Sequence, residues 1–271
     1  MDDTLYHYID PGFSHTQVGN YTLLLLLSPV NFSLAIMHSH KLMVWRKTAP
    51  LLEFTQPGEV QEVLGFSYHN VITGVTSTHF TLVPLSLYEQ DAVADIARYL
   101  DVQPTDTVFA QQLDANNHVV FKTGEDITKA AARFNLSRAV FGAAGWLQAL
   151  AINSPSDYNL YLNLSTDRFE VTYFKHGNLH LYNTFEFTHE DELAYYTAFV
   201  CQQLKLDMST ITVILSGNIT AGDNRYHQIL SDFFKAVELN TITVADIPES
   251  LPKQQLLALT ALPLCASLAD V

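Results

Sequence analysis

The stretch YNLYLNLSTDRFEVTYFKHGNLHLYN, residues 158–183, decides how this chain reads. Phe169, Val171 and Tyr173 alternate with Glu170 and Thr172, the period of a strand with one face buried and the other open. Polar turn clusters at 165–168 and 176–178 divide the stretch into strands over 158–164, 169–175 and 179–187. The pattern predicts an antiparallel three-strand meander.

The same pattern stands earlier. Laid without a gap over YTLLLLLSPVNFSLAIMHSHKLMVWR, residues 21–46, it keeps a constant offset of 158 − 21 = 137. Seven of the 26 positions are identical, among them Leu23/Leu160, Leu25/Leu162, Leu27/Leu164 and Ser28/Ser165. The chain is read as an internal duplication. The five leucines at 23–27 then form a buried first strand. A secretory leader needs basic residues before its apolar core, and the first twenty residues carry no Lys or Arg and three Asp. A membrane helix needs about 20 unbroken apolar residues, and Ser28, Pro29, Asn31, Ser33 and His38 interrupt the run.

The elements after each meander match in kind. The second meander leads into a helix over 189–205, a strand over 211–215 closed by Ser216-Gly217-Asn218, and a helix over 223–236. The first leads into a helical piece near 58–64, a strand near 76–83 and a helix near 87–100. Residues 105–123 read as an inserted hairpin turning at 115–117, with a helix near 125–134 and an apolar segment over 138–150 after it. LLALTALPLCASL near the C-terminus reads as a buried helix broken at Pro263. The expected domains are 1–150, carrying the inserted hairpin, and 151–271.

The chain has 271 residues, with 14 basic against 28 acidic side chains and a net charge of −14. That balance repels phosphate backbones and anionic lipid surfaces, so neither nucleic acid nor membrane insertion is expected. Cys201 and Cys265 sit in apolar surroundings with no CxxC partner, which reads as buried free thiols and a cytoplasmic protein.

Three antiparallel strands continued by alternating helix and strand resemble the ribonuclease H-like unit. Two such units in tandem resemble the actin-like ATPase superfamily, an α/β fold with mixed sheets and an antiparallel meander in each half. The segments YNLYLNLSTDRFEVTYFKHGNLHLYNTFEF, HEDELAYYTAFVCQQL and ITVILSGNIT resemble more closely a bacterial family of about this length with no assigned function, to which the actin-like fold is attributed. In the superfamily the turn after each first strand cradles phosphates with an Asp and glycines. The resemblance places those turns at 27–32 and 164–169. The Asp positions fall on Ser28 and Ser165, and neither turn contains Gly. Pro29 lacks an N–H to offer a phosphate, and Val30 is branched. Ile214-Leu215-Ser216-Gly217-Asn218 resembles the strand-Gly turn that contacts adenosine. Ser28, Ser165, Ser216, Gly217 and Asn218 are therefore the candidate remnants of a nucleotide cleft, with no catalytic residue and no cofactor expected.

Other constellations carry less. His38 and His40 lie on a turn without Cys or carboxylate company, and with His176 and His180 they read as surface histidines rather than metal ligands. A two-metal nuclease needs an acid on the first strand, and both first strands lack one. No GxSxG elbow is present; Phe141-Gly142-Ala143-Ala144-Gly145 has Ala at its centre. Tyr158, Tyr161, Phe169, Tyr173, Phe174, Tyr182, Phe185 and Phe187 crowd the second meander, as core or as a surface for a protein partner. The expected function is a non-catalytic actin-like scaffold or adaptor that binds a protein or itself. The alternative is a nucleotide-binding protein or weak ATPase using the cleft between the halves.

Overall fold

The computed structural model describes residues 6–54, 56, 58–134, 136, 139–220 and 224–265. The first meander is β2 (Thr22–Leu27), β3 (Asn31–His38) and β4 (Lys41–Pro50); β1 (Tyr8–Ile9) lies antiparallel against the outer side of β4. The second is β10 (Asn159–Leu164), β11 (Arg168–Lys175) and β12 (Asn178–Glu186).

Duplication extends to the irregularities. Leu25 pairs with Leu34 as Leu162 pairs with Val171, each residue displaced by 137. The β-bulge between Ile36 and Met37 returns between Tyr173 and Phe174, whereas the register shift between Phe32 and Leu34 has no counterpart in the second meander. Ser39 and His176 hold the same left-handed turn position, at φ 53° and 52°. A bulge and a positive-φ turn each set strand register, so the two halves share one local design.

Each meander continues into parallel strands. β5 (Asn70–Val75) pairs parallel with β2, and β9 (Val140–Phe141) with β5. In the second half β13 (Thr212–Gly217) pairs parallel with β10, and β14 (Ala236–Leu239) with β13. The orders β1-β4-β3-β2-β5-β9 and β12-β11-β10-β13-β14 differ by the one extra strand. β2 lies inside its sheet, and Leu23, Leu24, Leu25 and Leu27 are fully buried. A strand buried on both faces reads as an apolar run rather than an alternation, which explains the five leucines.

Helix α1 (Glu59–Leu64) comes after the first meander, and α5 (Glu190–Leu204) after the second. His189 and Glu192 form a reciprocal capping box at the start of α5. Between β5 and β9 a third sheet is inserted, ordered β6 (Phe80–Pro84), β8 (Asn117–Thr123), β7 (Thr107–Gln112). The expected hairpin is β7–β8. Asp114 Oδ1 holds its turn by accepting from the Asn116 and Asn117 N–H groups at 2.7 and 2.8 Å.

Several boundaries differ from expectation. The strand read near 76–83 overlaps only β6, which starts at Phe80; residues 76–79 are not strand, and β5, ending at Val75, lies before the expected element. The stretch read as a helix over 87–100 is α2 (Val93–Ala97) between short 3-10 turns, stopped by Asp101 in the left-handed region at φ 51°. Helix α3 (Glu125–Ala130) ends short of 134, and α4 (Ala144–Ile152) fills the end of the apolar segment. Helix α6 (Asn224–Ser231) stops five residues before 236, and β14 begins there instead; the expected start at 223 lies outside the described residues. Helix α7 (Lys253–Thr260) ends before Pro263, which sits inside a separate 3-10 turn, Leu262–Leu264.

The chain forms two compact units, Met1–Gln148 with Val244–Ile247 and Ala258–Val271, and Ala149–Thr243 with Pro248–Leu257. The first unit thus takes in two pieces of the C-terminal sequence. Asp246 N–H donates to His40 O at 2.8 Å, and a Cβ on Gly74 would lie 2.8 Å from Leu262 Cδ2. In the second unit, Leu160, Leu162, Phe169, Val171, Leu193, Val213 and Leu230 form one core between sheet and helices.

Candidate functional site

The two turns where the resemblance places phosphates are closed by their own hydrogen bonds. Ser28 N–H and Oγ both donate to Asn31 O, at 2.8 and 2.9 Å, and Ser28 Oγ accepts from Asn31 N–H at 3.1 Å. Pro29 is exposed and Val30 is 63% exposed. In the second unit Ser165 N–H donates to Arg168 O at 2.8 Å and the residue is exposed. Asp167 turns to Arg168, at 3.3 Å. No carboxylate occupies either serine position.

Ser216, Gly217 and Asn218 lie at the end of β13, beside the end of β10. Ser216 is buried, and its Oγ accepts from Asn240 Nδ2 at 2.9 Å. Gly217 has φ +83°, and a Cβ there would meet Leu164 O at 2.2 Å and Asn163 Oδ1 at 2.6 Å. Backbone geometry alone therefore requires glycine. Asn218 N–H donates to Leu164 O at 2.7 Å while its side chain is exposed. The first unit repeats this corner with Thr76, whose N–H and Oγ1 donate to Leu27 O at 2.8 and 3.0 Å. Ser165, Ser216, Gly217 and Asn218 thus share one corner of the second unit, and Ser28 holds the equivalent turn of the first.

Beside this corner is a polar cluster that the sequence did not announce. Glu170 Oε2 accepts from Asn163 Nδ2 at 2.5 Å, and Oε1 accepts from Tyr182 OH at 2.6 Å. Burial pushes the Glu170 carboxyl above its ordinary value, against the lowering effect of those two donors. The residues 137 earlier are Leu26, Ser33 and Trp45, so the first unit holds no copy of it. Alternation does place Glu170 on the face away from Phe169 and Val171; only strand pairing brings Asn163 and Tyr182 to it. The cluster offers a closed, hydrogen-bonded acid with no nucleophile or second acid.

Among the described residues no group of three His, Cys, Asp or Glu side chains is placed to hold a metal. His38, His40 and His180 are exposed, and His176 pairs with Asp157 at 2.9 Å. Cys201 and Cys265 are buried free thiols. Of the eight aromatic residues of the second meander, six are buried, Phe185 is half-buried and only Tyr158 is exposed. Among the described residues no helix is long and apolar enough to cross a membrane.

Comparison with known families places this architecture. A family described as a protein of unknown function, DUF3822, matches residues 10–237. The chain belongs to the DUF3822 family. Among solved structures, this DUF3822 member is similar to a Bacteroides thetaiotaomicron protein with actin-like ATPase fold and unknown function. The TM-score is 0.74 and the identity 19%, over 93% of this chain and 98% of that one. It is also similar to a chain of the PilM–PilN type IV pilus biogenesis complex, with a TM-score of 0.57 and 12% identity over 92% and 97%. No curated protein matches. The DUF3822 chain has the actin-like ATPase fold: two units, each an antiparallel meander continued by parallel strands.

Proposed function

We propose that this protein is a pseudo-ATPase: a non-catalytic, cytoplasmic actin-like scaffold or adaptor that acts through protein–protein contacts. The observation that carries the reading is the closed pair of turns at Ser28 and Ser165. Phosphate cradling needs free backbone N–H groups and a carboxylate to order a metal. Here each serine N–H is committed inside its own turn, and the Ser28 hydroxyl is as well. Ser28, Ser165, Ser216, Gly217 and Asn218 are, in this reading, what remains of a nucleotide cleft. Gly217 lends no support to retained nucleotide binding, because Leu164 already accounts for it. The solved neighbour of the pilus complex, whose description pairs PilM with PilN, supports a role in assembly.

Calorimetric titration with ATP, ADP and Mg²⁺ tests the reading. No saturable binding tighter than about 100 μM is expected. Binding tighter than that would overturn it in favour of a nucleotide-dependent protein.

A further inference from the structure

The inserted sheet ends in an open strand with a groove beside it. β8 lies at the centre of that sheet, between β6 and β7. Lys122 N–H donates to His79 O at 3.2 Å on the β6 side, and Leu113 N–H donates to Asn117 O at 2.9 Å at the β7–β8 turn. Antiparallel partners alternate between hydrogen-bonded and non-bonded pairs. By that alternation Val108 and Ala110, opposite Lys122 and Val120, turn their backbone N–H and C=O groups outward, away from β8. Among the described residues no strand lies beyond β7, and no backbone hydrogen bond reaches those outward groups. β7 reads TVFAQQ, with no Pro and no charge to blunt the edge.

Helix α2 runs lengthwise beside that edge. The Tyr88 ring, before the helix, stacks on His118 at 3.7 Å, and Lys122 Nζ donates to Asp101 O, after it, at 2.5 Å. His118 and Lys122 stand opposite Gln112 and Val108, so the helix follows β7 along one face of the sheet. Between helix and strand is a groove of about 730 Å³, whose lining includes Asp91, Ala94, Arg98, Asp101, Val102 and Val108. Ala94 and Val102 are exposed and, with Val108, give it an apolar floor. Arg98 is committed to Asp95 at 3.2 Å. Asp101 Oδ1 accepts only from the Gln103 amide, at 3.2 Å, and Asp91 has no basic partner among the described residues. The groove therefore holds two carboxylates that no cation balances. The ten residues from one to the other rise about 15 Å as helix, the span of about four to five residues of strand.

We propose that β7 and this groove form a docking site for an extended, basic segment of a partner protein. The segment pairs with the outward groups of Val108 and Ala110. One apolar side chain on its groove face rests over Ala94, and Lys or Arg two positions to either side, on the same face, meets Asp91 and Asp101. Backbone pairing supplies the affinity in such strand addition, and the groove supplies the selectivity. This deepens the protein-contact function proposed above and rests on it. A second copy of the chain, with a net charge of −14, is the poorer occupant.

The probe is a labelled, end-blocked peptide, Thr-Lys-Thr-Leu-Thr-Lys-Thr, added to the full chain and read by fluorescence anisotropy and hydrogen exchange. Saturable binding below about 1 mM is expected, with slowed amide exchange at Val108 and Ala110. Two further peptides are N-methylated at one or the other alternate set of amides; one of them should bind at least tenfold more weakly. Replacing both peptide lysines by Gln should also cost at least tenfold. So should Ala94→Trp, which fills the groove; Ala94 is exposed, so the native melting temperature should be kept and is checked first. Full binding by both N-methylated peptides would overturn the proposal. So would full binding by the Gln peptide or by a folded Ala94→Trp chain, binding without slowed exchange in β7, or no binding at about 1 mM. Slow exchange at Val108 and Ala110 before peptide is added would show the edge already covered, by a second copy if the mass is dimeric, and would overturn it too. Failure here with no nucleotide binding rejects the docking site alone, whereas nucleotide binding rejects the function on which it rests.

Discussion

Gly217 and Leu164 approach so closely that a Cβ on the glycine would lie 2.2 Å from the Leu164 carbonyl oxygen. The contact joins β13 to the end of β10, at the corner where a phosphate turn would sit. Gly177 offers a comparison: its φ is +76° but a Cβ there would meet nothing within 4 Å. A left-handed conformation alone costs a non-glycine residue about 1–2 kcal/mol. Gly177→Ala should therefore lose about that much in denaturant unfolding. Gly217→Ala should lose clearly more, since backbone must also move. Equal losses would show that the Leu164 contact is not limiting.

Glu170 makes stability depend on pH. Burial raises its native pKa, so the folded protein keeps the proton where the unfolded chain, titrating near 4.5, has lost it. The contribution is whole below 4.5 and is lost as pH rises through the raised value. Glu170→Gln keeps an acceptor for Tyr182 OH and, with a turned Asn163 amide, a partner for Asn163. The variant should lose that decline and be at least as stable as the parent at about pH 8. Urea midpoints across the range test this; an unchanged slope would remove Glu170 as its source.

Cys201 and Cys265 should be silent in the native protein. Burial pushes their thiols up to about 11 and about 12, and neither side chain reaches solvent. At about pH 8 roughly one Cys201 in a thousand is thiolate. A chromogenic disulfide reagent should find no fast-reacting thiol in the native chain and two in denaturant. A fast native thiol would show that one of these sites opens.

The sequence revealed the meanders because their leucine spacing, turns and offset recur together. Even the bulge and the Ser39/His176 turn obey that offset. β5 was harder to see. Its strand pattern is interrupted by Gly74, which is small because Leu262 and Leu26 crowd it from elsewhere in the chain. β14 was hidden by the apolar content of 230–237, which fits a helix equally well. The Glu170 cluster depends on pairing: Asn163 is opposite Glu170, and Tyr182 is opposite Thr172, the next residue on that face. Such diagonal neighbours exist only once register is fixed. The candidate corner was legible as a departure from a motif, but the closure of its turns was not.

Among the described residues, Lys122 and Asp106 form the ion pair most shielded from water, at 2.8 Å with side chains only 11% and 10% exposed. Lys122 Nζ also donates to Asp101 O at 2.5 Å, and Asp106 Oδ2 accepts from Gln103 N–H at 2.9 Å. The pair ties the 101–106 loop to β8, at the heart of the inserted sheet. The Gln103 N–H first, then Lys122, hold the Asp106 carboxyl below its ordinary 3.8. Its contribution is therefore present above 3.8 and lost as pH falls through the lowered value, the reverse of Glu170. Asp106→Ala leaves a partly shielded lysine charge with only the Asp101 carbonyl as partner, and should cost about 1–3 kcal/mol. Hydrogen exchange should accelerate in β6, β7 and β8 before the second unit responds. Lys122→Met on the same background removes the stranded charge and should restore most of the loss. If the double variant were no more stable than Asp106→Ala, the cost would lie in the Gln103 loop bond instead, and the ion pair would be incidental to holding the sheet.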